Sequence, residues 1–243
     1  MDTKRIILIT GANKGLGRET ARQLAQQGHT VLLAARDAGK AADAAAALAA
    51  EGLDVRPIHL DVTSAESIAR AVAHVRERHG KLDTLVNNAG INIEGWGTPT
   101  SQTTLEQWRQ VFDTNLFGVI AVTTAFLPLL RSSDAGRIVN LGSILGSLTL
   151  HSDPASPIYD MKSAAYDTSK TALNAYTVHL AHELRGTSIK VNSAHPGWVK
   201  TDLGTDAAPM EVGDGAKTSV WLATLPADGP SGGYFHMKDR LPW

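Results

Sequence analysis

Short runs rich in β-branched and aliphatic residues alternate with longer helical patterns from one end of the chain to the other. Residues 5–10, 30–34, 55–60, 82–86, 137–141, 189–194 and 233–236 read as strands. Helical stretches lie between them, around 16–27, 38–50, 65–79, 104–130, 164–185 and 212–224. The Ala-rich segment 41–50 has high helix propensity and reads as a covering helix, not a linker. Strands alternating with helices imply an α/β fold, a parallel sheet built of right-handed βαβ units. No Pro/Gly/Ser-rich linker and no internal repeat divides the chain, so 1–243 reads as a single domain. Loop signals are densest at 91–103, 146–158 and 201–211. In a doubly wound sheet such loops follow the carboxyl ends of strands, where ligands bind.

Composition narrows the partners. Of 243 residues 43% are hydrophobic and 19% charged, the profile of a globule that can bury a core. The formal net charge is −1, so no excess of positive charge argues for nucleic acid or an anionic membrane. The absence of cysteine excludes disulfides, thiolate nucleophiles and Cys-ligated zinc. The apolar run 6–9 is too short for a signal peptide and leads straight into a glycine loop, so it reads as a buried strand. No stretch is expected to span a membrane, and the cytoplasm is the default expectation.

Two stretches carry chemistry. Thr10-Gly11-Ala12-Asn13-Lys14-Gly15-Leu16-Gly17 follows the first strand and opens the first helix. Glycines there let the backbone turn tightly and approach a pyrophosphate resting on the helix N-terminus. The spacing is G-x-x-x-G-x-G, not the commoner G-x-G-x-x-G, and its strand–loop–helix context points to nucleotide binding. Tyr166-Asp167-Thr168-Ser169-Lys170 places a phenol and an ammonium one turn apart on a helix face. A phenol titrates near pH 10, and lowering that by three units takes roughly 4 kcal/mol. One cation about 4 Å away, at an effective dielectric near 20, supplies on the order of 4 kcal/mol. Lys170 is therefore expected to turn Tyr166 into a working acid/base group.

The glycine loop, Asn87-Asn88-Ala89-Gly90, Ser143 in Asn140-Leu141-Gly142-Ser143, the Tyr166/Lys170 pair and Pro196-Gly197 occur in one order. Together they resemble the short-chain dehydrogenase/reductase family over essentially the whole chain. Residues 83–97 and the ending Leu241-Pro242-Trp243 lean toward its carbonyl-reductase members. The resemblance implies a Rossmann-type doubly wound sheet of about seven parallel strands. It assigns Tyr166 as proton donor to a substrate carbonyl, Lys170 as the group that lowers its pKa and binds the nicotinamide ribose, and Ser143 as the partner of the carbonyl oxygen. Asn115, in Asp113-Thr114-Asn115-Leu116-Phe117, matches the helix asparagine that holds a relay water. Gly11, Asn13, Lys14, Gly15, Leu16 and Gly17 are the expected pyrophosphate cradle, with Asp61 and Val62 at the adenine. Asn88, Ala89 and Gly90 are expected beside the cofactor, with Asn87 structural. Pro196, Gly197, Val199 and Thr201 would meet the nicotinamide carboxamide and pyrophosphate.

The cofactor expected is NADPH. NAD-preferring relatives carry an acid at the end of the second strand, and here that position is Ala35, followed by Arg36. Arg36 and Lys14 are expected to hold the 2′-phosphate, while Asp37 starts the next helix. The partner expected is a small carbonyl or alcohol, apolar or aromatic, in a pocket built from 91–98, 144–158 and 197–211 with Trp96, Ile144, Leu145, Trp198 and Met210. Tyr159 has Ser163 four positions on and cannot form the pair, though it is a candidate pocket residue, as is His151. Ser143 lacks the G-x-S-x-G context of a hydrolase nucleophile. Ser143 and Tyr166 stand 23 positions apart, a longer interval than is usual in the family. It resembles a shortened form of the insertion in monomeric carbonyl reductases, which covers a helix face used in tetramers, so a monomer or dimer is expected. Rival readings are an enoyl reductase, an NAD-preferring alcohol dehydrogenase of the same family, and a catalytically idle NADPH-binding sensor.

Overall fold

A computed structural model describes residues 4–95 and 97–243; Trp96, expected in the pocket, lies outside the described residues. The first half alternates β1 (Ile6–Ile9), α1 (Gly15–Gln26), β2 (Thr30–Ala35), α2 (Ala38–Ala49), β3 (Val55–His59), α3 (Ala65–His79) and β4 (Thr84–Asn87). It continues through α4 (Leu105–Phe112), α5 (Gly118–Arg131), β5 (Arg137–Leu141), α6 (Leu148–Ser152), α7 (Ala164–Glu183) and β6 (Lys190–His195). The chain closes with α8 (Val212–Gly215), α9 (Lys217–Ala223), β7 (Tyr234–His236) and β8 (Asp239–Arg240). The sheet runs β3-β2-β1-β4-β5-β6-β7-β8. Neighbours from β3 to β7 pair in parallel, and β8 returns antiparallel on β7. This is the doubly wound sheet expected, with a two-residue hairpin strand added at its edge.

The period-two alternation of each strand feeds two separate cores. Ile7, Ile9, Val31 and Leu33 point to one face and pack with α1, α2 and α9. Leu8, Leu32 and Ala34 point to the other and pack with α3, α5 and α7. Chain order reverses between β1 and β4, and β1 pairs with both β2 and β4. The crevice beyond the carboxyl ends of β1 and β4 is therefore the switch point where ligands of such sheets bind.

Helix starts follow local chemistry. The Asp37 carboxylate accepts the N–H of Lys40 at the head of α2, and the Ser64 hydroxyl accepts that of Ser67 at α3. Thr104 and Gln107 form a capping box on α4. α1 is different, because its N-cap residue Lys14 makes no side-chain cap. The orphan N–H groups of its first turn are left for another acceptor.

Two expectations are corrected by the fold. The single helix expected over 104–130 is α4 and α5 joined by a π-helical turn at Asp113–Phe117. The run from Leu105 to Arg131 spans 27 residues and is, by length and composition, apolar enough to cross a bilayer, where no such stretch was expected. Its apolar character has a local cause: Val111, Val119, Val122, Phe126, Leu129 and Leu130 are buried, and those from Val122 onward pack in the core with α3. The segment 144–165 packs on the first turns of α7, with Leu145 and Ile158 against Tyr166 and the Gly146 carbonyl accepting from Thr171 and Asn174; Val178 and Phe117 are exposed.

Candidate active site

The glycine loop reaches the crevice because two positions cannot carry a side chain. Gly11 has φ +62°, and a Cβ there would lie 2.9 Å from Ala89 Cα. A Cβ on Gly17 would lie 2.4 Å from Asn88 Nδ2 and 2.8 Å from Ala12 Cα. Asn88 in turn donates its amide to the carbonyls of Thr10 and Gly11, while Thr10 Oγ1 accepts the N–H groups of Asn88 and Ala89. The loop after β1 and the loop after β4 are thus one welded unit. We expect Gly17→Ala to break that weld. It should destabilise the protein by about 1–3 kcal/mol through overpacking and abolish dinucleotide binding, measured by calorimetry and by ligand-induced thermal shift.

Asn87 supports this unit from beneath. Its amide donates to Thr123 Oγ1 and Asn140 Oδ1, and Asn140 donates to Thr177, all buried. The network ties β4, β5, α5 and α7 together, which is the structural role expected of Asn87.

A cleft of about 1320 Å³ opens over the switch point. Gly11, Asn13, Lys14, Gly15, Leu16, Gly17, Arg36, Asp61, Val62, Asn88, Ala89 and Gly90 line one part of it. Ser143, Tyr166, Lys170, Pro196, Gly197, Val199 and Thr201 line the rest. Asp61 is free of helix capping, since Ser64 does that, and its carboxylate accepts the N–H and hydroxyl of Thr63. The uncapped α1, the glycine loop in the cleft wall, and Arg36 beyond Ala35 fit a phosphorylated dinucleotide. Lys14 is not idle, however. It forms an exposed ion pair with Asp202 from the loop after β6.

Tyr166 and Lys170 are both buried. Burial pushes the Tyr166 phenol up to about 12; a hydrogen bond with Ser143 pulls it down and the neighbouring Asp167 charge pushes it further up. Burial pushes the Lys170 ammonium down to about 8. Lys170 donates to the Leu141 carbonyl at 2.7 Å, and its nitrogen lies 5.6 Å from the centre of the Tyr166 ring. The sequence led to the opposite expectation, a phenol lowered by its lysine. Desolvation of each group sets the direction of its shift.

Asn115 lies in the π-helical turn and is fully buried. Both amide hydrogens are used, one on the Ile91 carbonyl and one on Ser169 Oγ, and Oδ1 accepts the Ile91 N–H. Its side chain fixes the start of the loop after β4, behind the cleft and not in its wall.

Ile144, Leu145, Ile158, Met161, Trp198 and Leu203 supply apolar wall. Met210, expected there, sits instead beneath Gly197, where a Cβ would meet its sulfur at 2.8 Å. Tyr159 is on the surface under the Lys162 ammonium. His151 bonds the Leu145 carbonyl and stands 3.4 Å from Asp167.

The sequence reading passed over three groups. His195 lines the cleft and is pushed down to about 3 by burial. Its Nδ1 accepts the N–H of Ile144, so its proton resides on Nε2. Glu94 and Asp167 are buried beside the start of α7, and burial pushes Asp167 up to about 7. The signal for Glu94 was present: it is the one charged residue between Asp83 and Glu106.

Comparison with known proteins agrees with this geometry. A family model described as short chain dehydrogenase matches residues 5–212. The short-chain dehydrogenase anuI of Penicillium roqueforti is 41% identical over 230 residues, covering 91% of this chain and 89% of that protein. The (+)-neomenthol dehydrogenase of Capsicum annuum is 31% identical, covering 97% of this chain and 96% of its own length. Among solved structures, an NADPH-bound carbonyl reductase from chicken fatty liver superposes with a TM-score of 0.86 at 27% identity, covering 99% of both chains.

Proposed function

The chain belongs to the short-chain dehydrogenase family, and from that premise we propose that it is an NADPH-dependent reductase of ketones and aldehydes, reversible as an alcohol dehydrogenase. The observation that carries the reading is the placing of Ser143, Tyr166 and Lys170 in the wall of the same cleft as the glycine loop. Bound NADPH supplies the hydride. Gly11, Gly15 and Gly17 with the first turn of α1 hold its pyrophosphate. Pro196, Gly197, Val199 and Thr201 hold its nicotinamide end, and Lys170 its ribose. Ser143 orients the substrate carbonyl and stabilises charge growing on its oxygen. Tyr166 delivers the proton to that oxygen. A reduction consumes a proton, and the phenol supplies it to the growing alkoxide.

The apolar wall favours a bulky, apolar or aromatic carbonyl. A relative named for neomenthol supports an alicyclic or similarly apolar substrate. The test is a panel of apolar, aromatic and short polar carbonyl compounds followed by consumption of NADPH. Turnover of the apolar members is the expected result. Turnover confined to small polar compounds contradicts the substrate class, and no turnover of any contradicts the activity.

A further inference from the structure

We propose that Glu94 is a positioning residue for the proton donor, setting the place of Tyr166 from the loop after β4. The inference deepens the reductase reading above and rests on Tyr166 being the proton donor. α7 begins with Ser163 as N-cap, and Ser163 makes no side-chain cap to its own helix. Its orphan N–H groups are met by two acids. Asp167 Oδ2 accepts the Ser163 N–H at 2.9 Å. Glu94 Oε1 accepts the Tyr166 N–H at 2.7 Å and the Ser163 hydroxyl at 2.9 Å. Glu94 Oε2 accepts the Thr103 hydroxyl at 3.2 Å. Glu94 is only 6% exposed, so these bonds are made away from solvent.

The stretch leading into Glu94 is fixed at two points. Asn115 clamps Ile91 by its N–H and its carbonyl. Asn92 accepts the Glu94 N–H and donates to Ser163 Oγ. Ile91 and Gly97, which flank this segment, line the cleft. One carboxylate therefore joins a wall of the cleft directly to the backbone N–H of the residue bearing the phenol. An ordinary helix-capping acid would stabilise α7 and do nothing more. A link to the Tyr166 N–H itself does more, because a misplacement of about 1 Å at a reacting group costs on the order of a hundredfold in rate.

Two near-isosteric variants separate contact from charge. Glu94→Gln keeps the length: its Oε1 can accept from Tyr166 and Ser163, and its Nε2 can donate to the Thr103 hydroxyl. Glu94→Asp keeps the charge but withdraws the oxygens by one methylene. We expect kcat of Glu94→Asp to fall by about ten- to a hundredfold, with the Kd for NADPH unchanged, and Glu94→Gln to keep kcat close to that of the parent. Thermal melts of both identify any loss of folded protein. A parental kcat in Glu94→Asp overturns the proposal, and so does a Glu94→Gln that loses as much as Glu94→Asp. Tyr166→Phe is assayed alongside. If it stays active, the assignment of Tyr166 as proton donor fails and this proposal with it; if it is inactive while Glu94→Asp is parental, only the role of Glu94 fails.

Discussion

Tyr166→Phe should bind NADPH as the parent does and lose carbonyl reduction by about 10²–10⁴-fold, the usual worth of general acid catalysis. The substitution removes one oxygen from a side chain that is 6% exposed and packed against Leu145 and Ile158. Phenylalanine keeps the ring and its contacts, so the fold should stand. What disappears is the hydroxyl in the cleft wall and the proton it carries. Ser143 Oγ still accepts the Leu145 N–H at the start of the turn Ile144–Gly146, so the backbone that presents it should not move. Substrate binding through the apolar wall should persist, and the loss should fall on kcat and not on KM. A mutant that retains more than half the parental kcat removes Tyr166 from the mechanism.

Ala35→Asp with Arg36→Ala should turn a preference for NADPH into one for NADH. Ala35 ends β2, and Arg36 lines the cleft directly after it. Asp37, next in the chain, places its carboxylate on the Lys40 N–H as the cap of α2. One charge-assisted contact to a 2′-phosphate is worth about 1.5–3 kcal/mol, so Arg36 alone supports roughly a tenfold to hundredfold preference. Lys14 adds to this only by leaving Asp202. Both side chains of that pair are largely exposed, and exposed pairs are weak, so a phosphate dianion can displace the aspartate. Raising salt should weaken NADPH binding more than NADH binding. Steady-state kinetics with both coenzymes decide it; an unmutated enzyme with equal or better kcat/KM for NADH refutes the assignment.

Much of this site was legible because its parts are local. The glycine loop, Asn88 to Gly90, Ser143 and the Tyr166/Lys170 pair are short motifs at the ends of strands or on one helix face, and the topology brings them to one crevice. What escaped was set by pairing across sequence. The partner of Lys14 lies 188 positions away at Asp202, and Glu94 meets Tyr166 across 72. No periodicity announces such contacts. The expected depression of the phenol failed for a related reason: spacing places two charges together, but says nothing of how deeply both are buried. Asn115 was found by its motif, while its clamp on Ile91 depends on a π-helical turn that propensity does not foresee. β8 escaped because two residues in a hairpin carry no pattern of their own.

Tyr166 is proposed to protonate a carbonyl reduced at the expense of NADPH in this cleft. The most direct measurement follows NADPH consumption with apolar and aromatic ketones and aldehydes, for the parent and Tyr166→Phe in parallel, with NADPH binding measured on both. Turnover by the parent, equal NADPH affinity in the two proteins, and turnover at least about a hundredfold lower in Tyr166→Phe are the expected results. Equal turnover in the two proteins, or NADPH binding by a parent that reduces no carbonyl compound, would contradict the proposal.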